Sequence, residues 1–179
     1  ERDGELLSPN PLCATGHGTS ASGCPVPCGL NIPHRKEAIP IDFCHIPVSI
    51  IKRSEGRSAV AAAAYRSGTK LTNEWDGLTH DYTRKGGVVH AEIMLPAHAP
   101  PEFADRSTLW NSVEQIEKAR DSQLAREIEA ALPRELSREQ QLALVRAYVK
   151  DNFVDKGMCA DFAIHDKGTG NPHVHIMLT

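Results

Sequence analysis

The stretch that most constrains this chain lies near its C-terminal end, where residues 163–177 read Ala-Ile-His-Asp-Lys-Gly-Thr-Gly-Asn-Pro-His-Val-His-Ile-Met. His173 and His175 flank a single apolar residue, Val174. On an extended strand, residues two apart share a face, so both imidazoles project together while Val174 points the other way. The Gly, Asn and Pro residues between Asp166 and Pro172 suit a hairpin loop, which would bring His165 onto the neighbouring antiparallel strand. Three neutral imidazoles converging in this way suit a divalent metal that keeps open positions, as a catalytic site requires. The plain alternative is a pair of half-exposed strand histidines.

A chain of 179 residues is long enough for one domain with a sizeable core and an added arm. Its net charge of -3 argues against a protein that grips nucleic acid over its whole surface, so any basic contact has to be local. No apolar run reaches the length of a membrane span, and the five scattered cysteines fit free thiols in a reducing compartment better than a disulfide framework. A cytoplasmic protein is expected. The chain stops at Thr179, inside the expected metal-bearing strand, which reads as a domain incomplete at its C-terminus.

Residues 1–40 are rich in Gly, Pro, Ser and Thr and read as an irregular arm or linker. Cys13, His17, Cys24 and Cys28 within it offer four ligands for a zinc knuckle, although the intervals are not those of a common finger. From residue 41 to 52 the composition turns β-branched and aromatic, a strand that Pro47 marks as an edge or a bulge. Ser58 then caps an alanine-rich helix over residues 59–67, closed by Gly68. Its small side chains permit close packing on a sheet. Tyr65 is its one aromatic residue, and a core anchor is the ordinary role for it.

Lys52, Arg53, Arg57, Arg66 and Lys70 surround this helix with Glu55 as the only acid, a basic patch suited to phosphates or simply a solvated face. Residues 71–101 read as a loop-rich strand pair, with a strand at 88–95 ended by Pro96. His80, His90 and His98 read as exposed or core-satisfied rather than as ligands. Ser107 is expected to cap a helix running to about Arg120, with Leu109, Val113 and Ile116 at helical spacing. Ser137 and Gln140 form a capping box for a helix that carries Leu142, Val145, Val149 and Phe153 on one face and ends by Gly157. A strand over 158–165 then leads into the histidine loop. The stretch 127–133 is ambiguous: the spacing of Leu124, Ile128 and Leu132 favours a helix, whereas a strand would set Glu127 and Glu129 on one face.

Taken in order, these pieces have a counterpart. A strand and basic turn, Gly-Arg-Ser before a helix bearing Ala-Ala-Tyr-Arg, then Ala-Leu-Pro-Arg-Glu-Leu and finally Asn-Pro-His-Val-His resemble the MobA/MobL (MobQ-type) plasmid relaxases of the HUH endonuclease superfamily. The likeness covers residues 41–179. It implies an α+β fold, an antiparallel β-sheet flanked by helices, with the first helix presenting a tyrosine to a divalent metal, Mn2+ or Mg2+. Carried onto this sequence, Tyr65 is the nucleophile, and His165, His173 and His175 are the metal ligands. Glu127 and Glu129 match acidic positions near the family's site, which tips their stretch toward strand, to assist the metal or deprotonate the tyrosine.

The resemblance further implies nicking of single-stranded DNA at a plasmid transfer origin in the bacterial cytoplasm, with a 5' phosphotyrosine intermediate and with relaxosome accessory proteins as partners. Lys52, Arg53, Arg57, Arg66 and Lys70 would track the DNA phosphates, and Trp75, Tyr82 and Trp110 are candidates for base stacking. Two other readings stand beside it. One is a rolling-circle replication initiator of the same superfamily; the other is an inactive DNA-binding fragment with a structural metal site.

Overall fold

The computed structural model describes residues 46–168 and 170–179. The arm at 1–40, with Cys13, His17, Cys24 and Cys28, and the first part of the expected strand at 41–52 lie outside the described residues. The described chain runs through β1 (Val48–Lys52), α1 (Ala59–Ser67), β2 (Lys70–Thr72), β3 (Thr79–Asp81), β4 (Val88–Met94), α2 (Arg106–Ile116), β5 (Gln123–Ala131), α3 (Arg138–Asn152), β6 (Ala160–His165) and β7 (His173–Leu178). Single 3-10 turns precede α1 and α2 and follow α3.

Five strands form one sheet in the order β1-β5-β7-β6-β4, and every neighbouring pair is antiparallel. β2 and β3 pair separately as a small hairpin. The fold is thus the antiparallel sheet flanked by helices that the family resemblance implies. β1 lies at the sheet edge, which is where Pro47 is tolerated.

Strand alternation divides the side chains between two covering layers. Phe162, Ile164, Val174 and Ile176 point to one face and pack with Val145 and Val149 of α3. The other face of the sheet carries Ile51, Ala125 and Met177 against Ala59, Val60 and Ala63 of α1 and Leu109 and Trp110 of α2. His165, His173 and His175 alternate with the first set, so they belong to the α1 side. The histidine clamp therefore opens toward the tyrosine helix and away from α3.

The termini of α1 are fixed by its own sequence. Ser58 accepts a hydrogen bond from the Ala61 amide at 3.2 Å, and Gly68 ends the helix with φ 66°. A Cβ at Gly68 would lie 3.1 Å from Val88, so the helix end is packed closely on β4. The buried carboxylate of Glu114, from α2, also accepts from the Ala59 amide at 2.8 Å. An acid at a helix N-terminus compensates the unpaired amides and the dipole.

Two expectations from periodicity are corrected. Residues 123–131 form a strand, as the family resemblance implies and against the helix that periodicity alone favours. A spacing of four is also an even number of strand residues, so Ile128 and Leu132 fit a strand face equally well, and the unpaired Leu124 sits at a bulge where the β1 register shifts. The cap of α2 is Asp105 rather than Ser107, because the Asp105 carboxylate accepts from both the amide and hydroxyl of Thr108 at 2.8 Å. That helix ends at Ile116, which is exposed rather than packed.

Candidate active site

The β6–β7 ladder assembles the three histidines. His165 is paired directly with His173, while His175 lies opposite Ala163 on β6 and Glu129 on β5. Ring centroids are 4.9–5.5 Å apart, and one nitrogen from each imidazole lies within 4.8 Å of the others. Hydrogen bonds fix the outer nitrogens of two of them. His165 donates from Nε2 to the Arg66 carbonyl at 2.6 Å, and His173 donates from Nδ1 to the Asn171 carbonyl at 3.0 Å. Each is thereby left with one lone-pair nitrogen, the tautomer control that metal-ligating histidines need.

The third imidazole is backed by carboxylates. The buried Nδ1 of His175 lies 3.3 Å from Glu127 Oε1 and 3.8 Å from Glu129 Oε2. Burial, reinforced by Lys85 and the neighbouring imidazoles, pushes His165 down to about 4 despite its bond to the Arg66 carbonyl. A neutral imidazole keeps its lone pair. The donor set therefore fits a divalent metal, and it is the one such group among the described residues.

Tyr65 occupies the last turn of α1 and lines the same cleft, of about 270 Å³, as the three histidines, Arg66, Lys85 and Lys167. With 43 % of its surface exposed it is not a core anchor. Its ring packs edge-on against Tyr82 at 5.1 Å between centroids, and the Lys85 ammonium lies 3.6 Å over the ring. Lys85 also donates to the Tyr65 carbonyl at 2.7 Å. Burial, with the charges of Arg66 and Lys167, lowers Lys85 to about 8. Other cavities exist, among them one between β4 and α3 lined by His90 and Arg138, but none joins a nucleophile to a ligand cluster.

The acidic and basic candidates divide by position. Glu127 is buried and clamped by Nε and Nη2 of Arg66, with Ser49 Oγ at 3.4 Å and Arg57 Nη2 at 3.7 Å on its other oxygen. Burial alone would raise this carboxyl, but His175 and Arg66 outweigh it and hold it at about 2. It is thus a permanent anion behind His175 and does not line the tyrosine cleft. Glu129 is 48 % exposed beside it. Arg53 is committed to Glu114 at 3.0 Å and to the carbonyls of Glu114 and Glu117, with its guanidinium 4.2 Å over Trp75. Arg57 donates to the Ile50 carbonyl at 3.0 Å. Lys52 is half-buried, and Lys70 is exposed opposite Asp81.

Trp110 is buried, with its indole donating to Asp161 at 2.9 Å, which removes it from any stacking role. His90 is paired with Glu92 at 2.8 Å, and neither it nor His80 or His98 joins the cluster. Sequence reasoning missed Lys85 and Lys167. Their only signals are position: Lys85 precedes the Gly86-Gly87 turn, and Lys167 lies in the loop between the ligand histidines.

The site is thus a cleft in which a helix-borne tyrosine and a three-histidine cluster on an antiparallel sheet lie together. The chain belongs to the MobA/MobL family, whose model matches residues 57–179. It is 48 % identical over 147 residues to the conjugal transfer protein TraA of Rhizobium radiobacter, covering 76 % of this chain and 13 % of that one. With mobilization protein MobL of Acidithiobacillus ferridurans it shares 49 % identity over 121 residues, 68 % of this chain and 31 % of the relative. The chain thus spans a minor part of the length of these curated relatives. A solved structure described as "Molecular Basis of Vancomycin Resistance Transfer in Staphylococcus aureus" superposes with a TM-score of 0.72 and 32 % identity, covering 76 % of this chain and 69 % of that one. Among the described residues no helix is long and apolar enough to cross a membrane.

Proposed function

We propose that residues 41–179 form the nicking domain of a conjugative relaxase, acting in the bacterial cytoplasm on single-stranded DNA at a plasmid transfer origin, alongside relaxosome accessory proteins. The observation that carries this reading is the shared cleft of Tyr65, His165, His173 and His175. The names of the relatives favour transfer over replication as the setting. In the proposed step the Tyr65 phenolic oxygen attacks the scissile phosphorus, the bond from phosphorus to the 3' oxygen breaks, and the phenolic proton is lost as the leaving oxygen gains one. The products are a 5' phosphotyrosine ester and a free 3' hydroxyl. One phosphodiester replaces another, so the step is nearly balanced and reversible, as strand rejoining requires.

His165, His173 and His175 would hold the divalent ion, Mn2+ or Mg2+, which supplies charge neutralisation at the phosphate oxygens. Glu127 orients His175 and Arg66 rather than taking the phenolic proton, since a carboxylate held at about 2 is a weak base and lies behind the imidazole. Glu129 adds negative charge at the same imidazole. Lys167 lends the cleft a positive charge for phosphates beside Arg66, which is paired with Glu127, and the exposed Lys70 on β2 and half-buried Lys52 on β1 are further cationic candidates. The test is incubation of the protein with a single-stranded transfer-origin oligonucleotide and Mn2+ or Mg2+. A covalent adduct that survives denaturation and disappears in Tyr65→Phe, with DNA binding retained, is expected; an adduct unchanged in Tyr65→Phe overturns the assignment.

A further inference from the structure

We propose that Lys85 is the positioning residue of the Tyr65 nucleophile, a charged strut that holds the phenol ring toward the histidine cluster from the loop between β3 and β4. The proposal rests on the nicking function above. Tyr65 sits at the last turn of α1 with nearly half its surface exposed, where a side chain is ordinarily free to change rotamer. An in-line displacement tolerates little such freedom, since a misplacement of 1 Å costs about 100-fold.

Lys85 removes it at two points. Its ammonium is bound to the Tyr65 backbone carbonyl at 2.7 Å, one of the carbonyls left unpaired at a helix end, and the same charge lies 3.6 Å over the ring of that residue. One group thus ties backbone and ring together. The Tyr82 ring closes the edge at 5.1 Å, and the Lys85 amide bonds to the Tyr82 carbonyl at 2.9 Å, so the loop carrying the strut is itself closed. The far end of the loop is fixed to the metal side. Asp166, next to His165, donates its amide to the Gly87 carbonyl at 2.8 Å, and a Cβ on Gly87, at φ 86°, would lie 2.8 Å from the Lys167 side chain. The loop from Tyr82 to Gly87 therefore touches both halves of the site and sets one against the other.

The charge on Lys85 is the element that a test can reach. Facing it are Arg66 from α1 and Lys167 from the β6–β7 loop, both positive, together with the rings of Tyr65 and Tyr82 and, across the cleft, His165 and His173. The Asp166 carboxylate lines the adjoining pocket with it while accepting from the Gly168 amide at 2.7 Å, and the ammonium loses its proton at about 8. An arginine at the same position keeps its charge throughout the accessible range.

The experiment is single-turnover nicking of the transfer-origin oligonucleotide with saturating Mn2+, over a range of pH, by wild type, Lys85→Met and Lys85→Arg, with oligonucleotide affinity measured in parallel. Lys85→Met is expected to slow adduct formation about 10- to 100-fold with affinity changed less than about threefold. Lys85→Arg is expected to restore much of the rate, and its rate relative to wild type is expected to rise as pH passes about 8. A Lys85→Met rate within twofold of wild type, or a Lys85→Arg rate no higher than that of Lys85→Met, overturns the proposal. If wild type forms no adduct through Tyr65, the nicking function itself fails, and the two failures are distinguished by the Tyr65→Phe control.

Discussion

Both faces of the central sheet are covered by helices through apolar side chains but treat charge in opposite ways. On the α3 side the core of Ile128, Phe162, Ile164, Val174 and Ile176 holds no charged group, and Gln141, a buried polar residue of α3, turns aside to the Pro133 carbonyl at 2.8 Å. On the α1 and α2 side, Glu114, Glu127, Asp161 and His165 are all buried. Each has a partner: Glu114 with Arg53 and the α1 N-terminus, Glu127 with Arg66, Asp161 with Arg106 and Trp110, His165 with the Arg66 carbonyl. Burying a charge costs several kcal/mol before pairing, so such a face is a poor way to gain stability and a good way to fix geometry. One face is packed by apolar side chains, and the other adds paired buried charges and the histidine cluster to its apolar core.

Substitutions that separate chemistry from packing test this division. Tyr65→Phe on the polar face is expected to lower adduct formation by about 10⁴-fold or more while leaving the urea midpoint unchanged, because the hydroxyl is not part of the core. Phe162→Ala on the apolar face reverses that pattern. It is expected to destabilise by about 3–5 kcal/mol in urea unfolding, with the metal affinity of the folded fraction unaltered.

Glu127→Gln sharpens the contrast, since it keeps the shape of a buried side chain and removes only its charge. Calorimetric titration with Mn2+ is expected to show affinity reduced about 10- to 100-fold, because the imidazole of His175 loses its electrostatic backing. An affinity equal to that of wild type would make Glu127 a purely structural partner of Arg66.

A graded loss of stability in acid is also expected, read from urea unfolding of the metal-free protein at a series of pH values. His165 is held at about 4 against an ordinary 6.5, so the unfolded chain takes up a proton first and stability falls as pH drops from 6.5 toward 4. Glu127 is held at about 2 against 4.5, so its contribution is complete above 4.5 and lost as pH falls through that range toward 2. His165→Gln is expected to remove the upper window and Glu127→Gln the lower. Equal acid sensitivity in both variants and wild type would place the titrating groups elsewhere.

Local signals were legible because they act over a few residues. Ser58 and Gly68 bound α1, Ser137 and Gln140 close a capping box, and the alternation around Val174 puts two imidazoles on one face; the structure has each of these where the sequence puts it. Signals spread over longer distances were misread or silent. The ambiguity of 123–131 was inherent, since a four-residue spacing satisfies both periodicities, and pairing with β1 and β7 decided it. The basic patch looked uniform in sequence, yet Arg53 and Arg66 are committed to Glu114 and Glu127, more than 60 residues away.

The sequence by itself thus determined the caps of α1 and α3 and the shared face of the histidine pair, because covalent order and side-chain alternation suffice for those, and its motifs carried the family resemblance from which the role of Tyr65 was read. Only the tertiary structure decided which charges are free. It buried Glu127 against Arg66 and His175, paired Arg53 with Glu114 and Trp110 with Asp161, and brought Lys85 over the ring of Tyr65. The physical reason is that a charge is defined by its partner and its solvent, and both come from chain segments that sequence spacing does not connect.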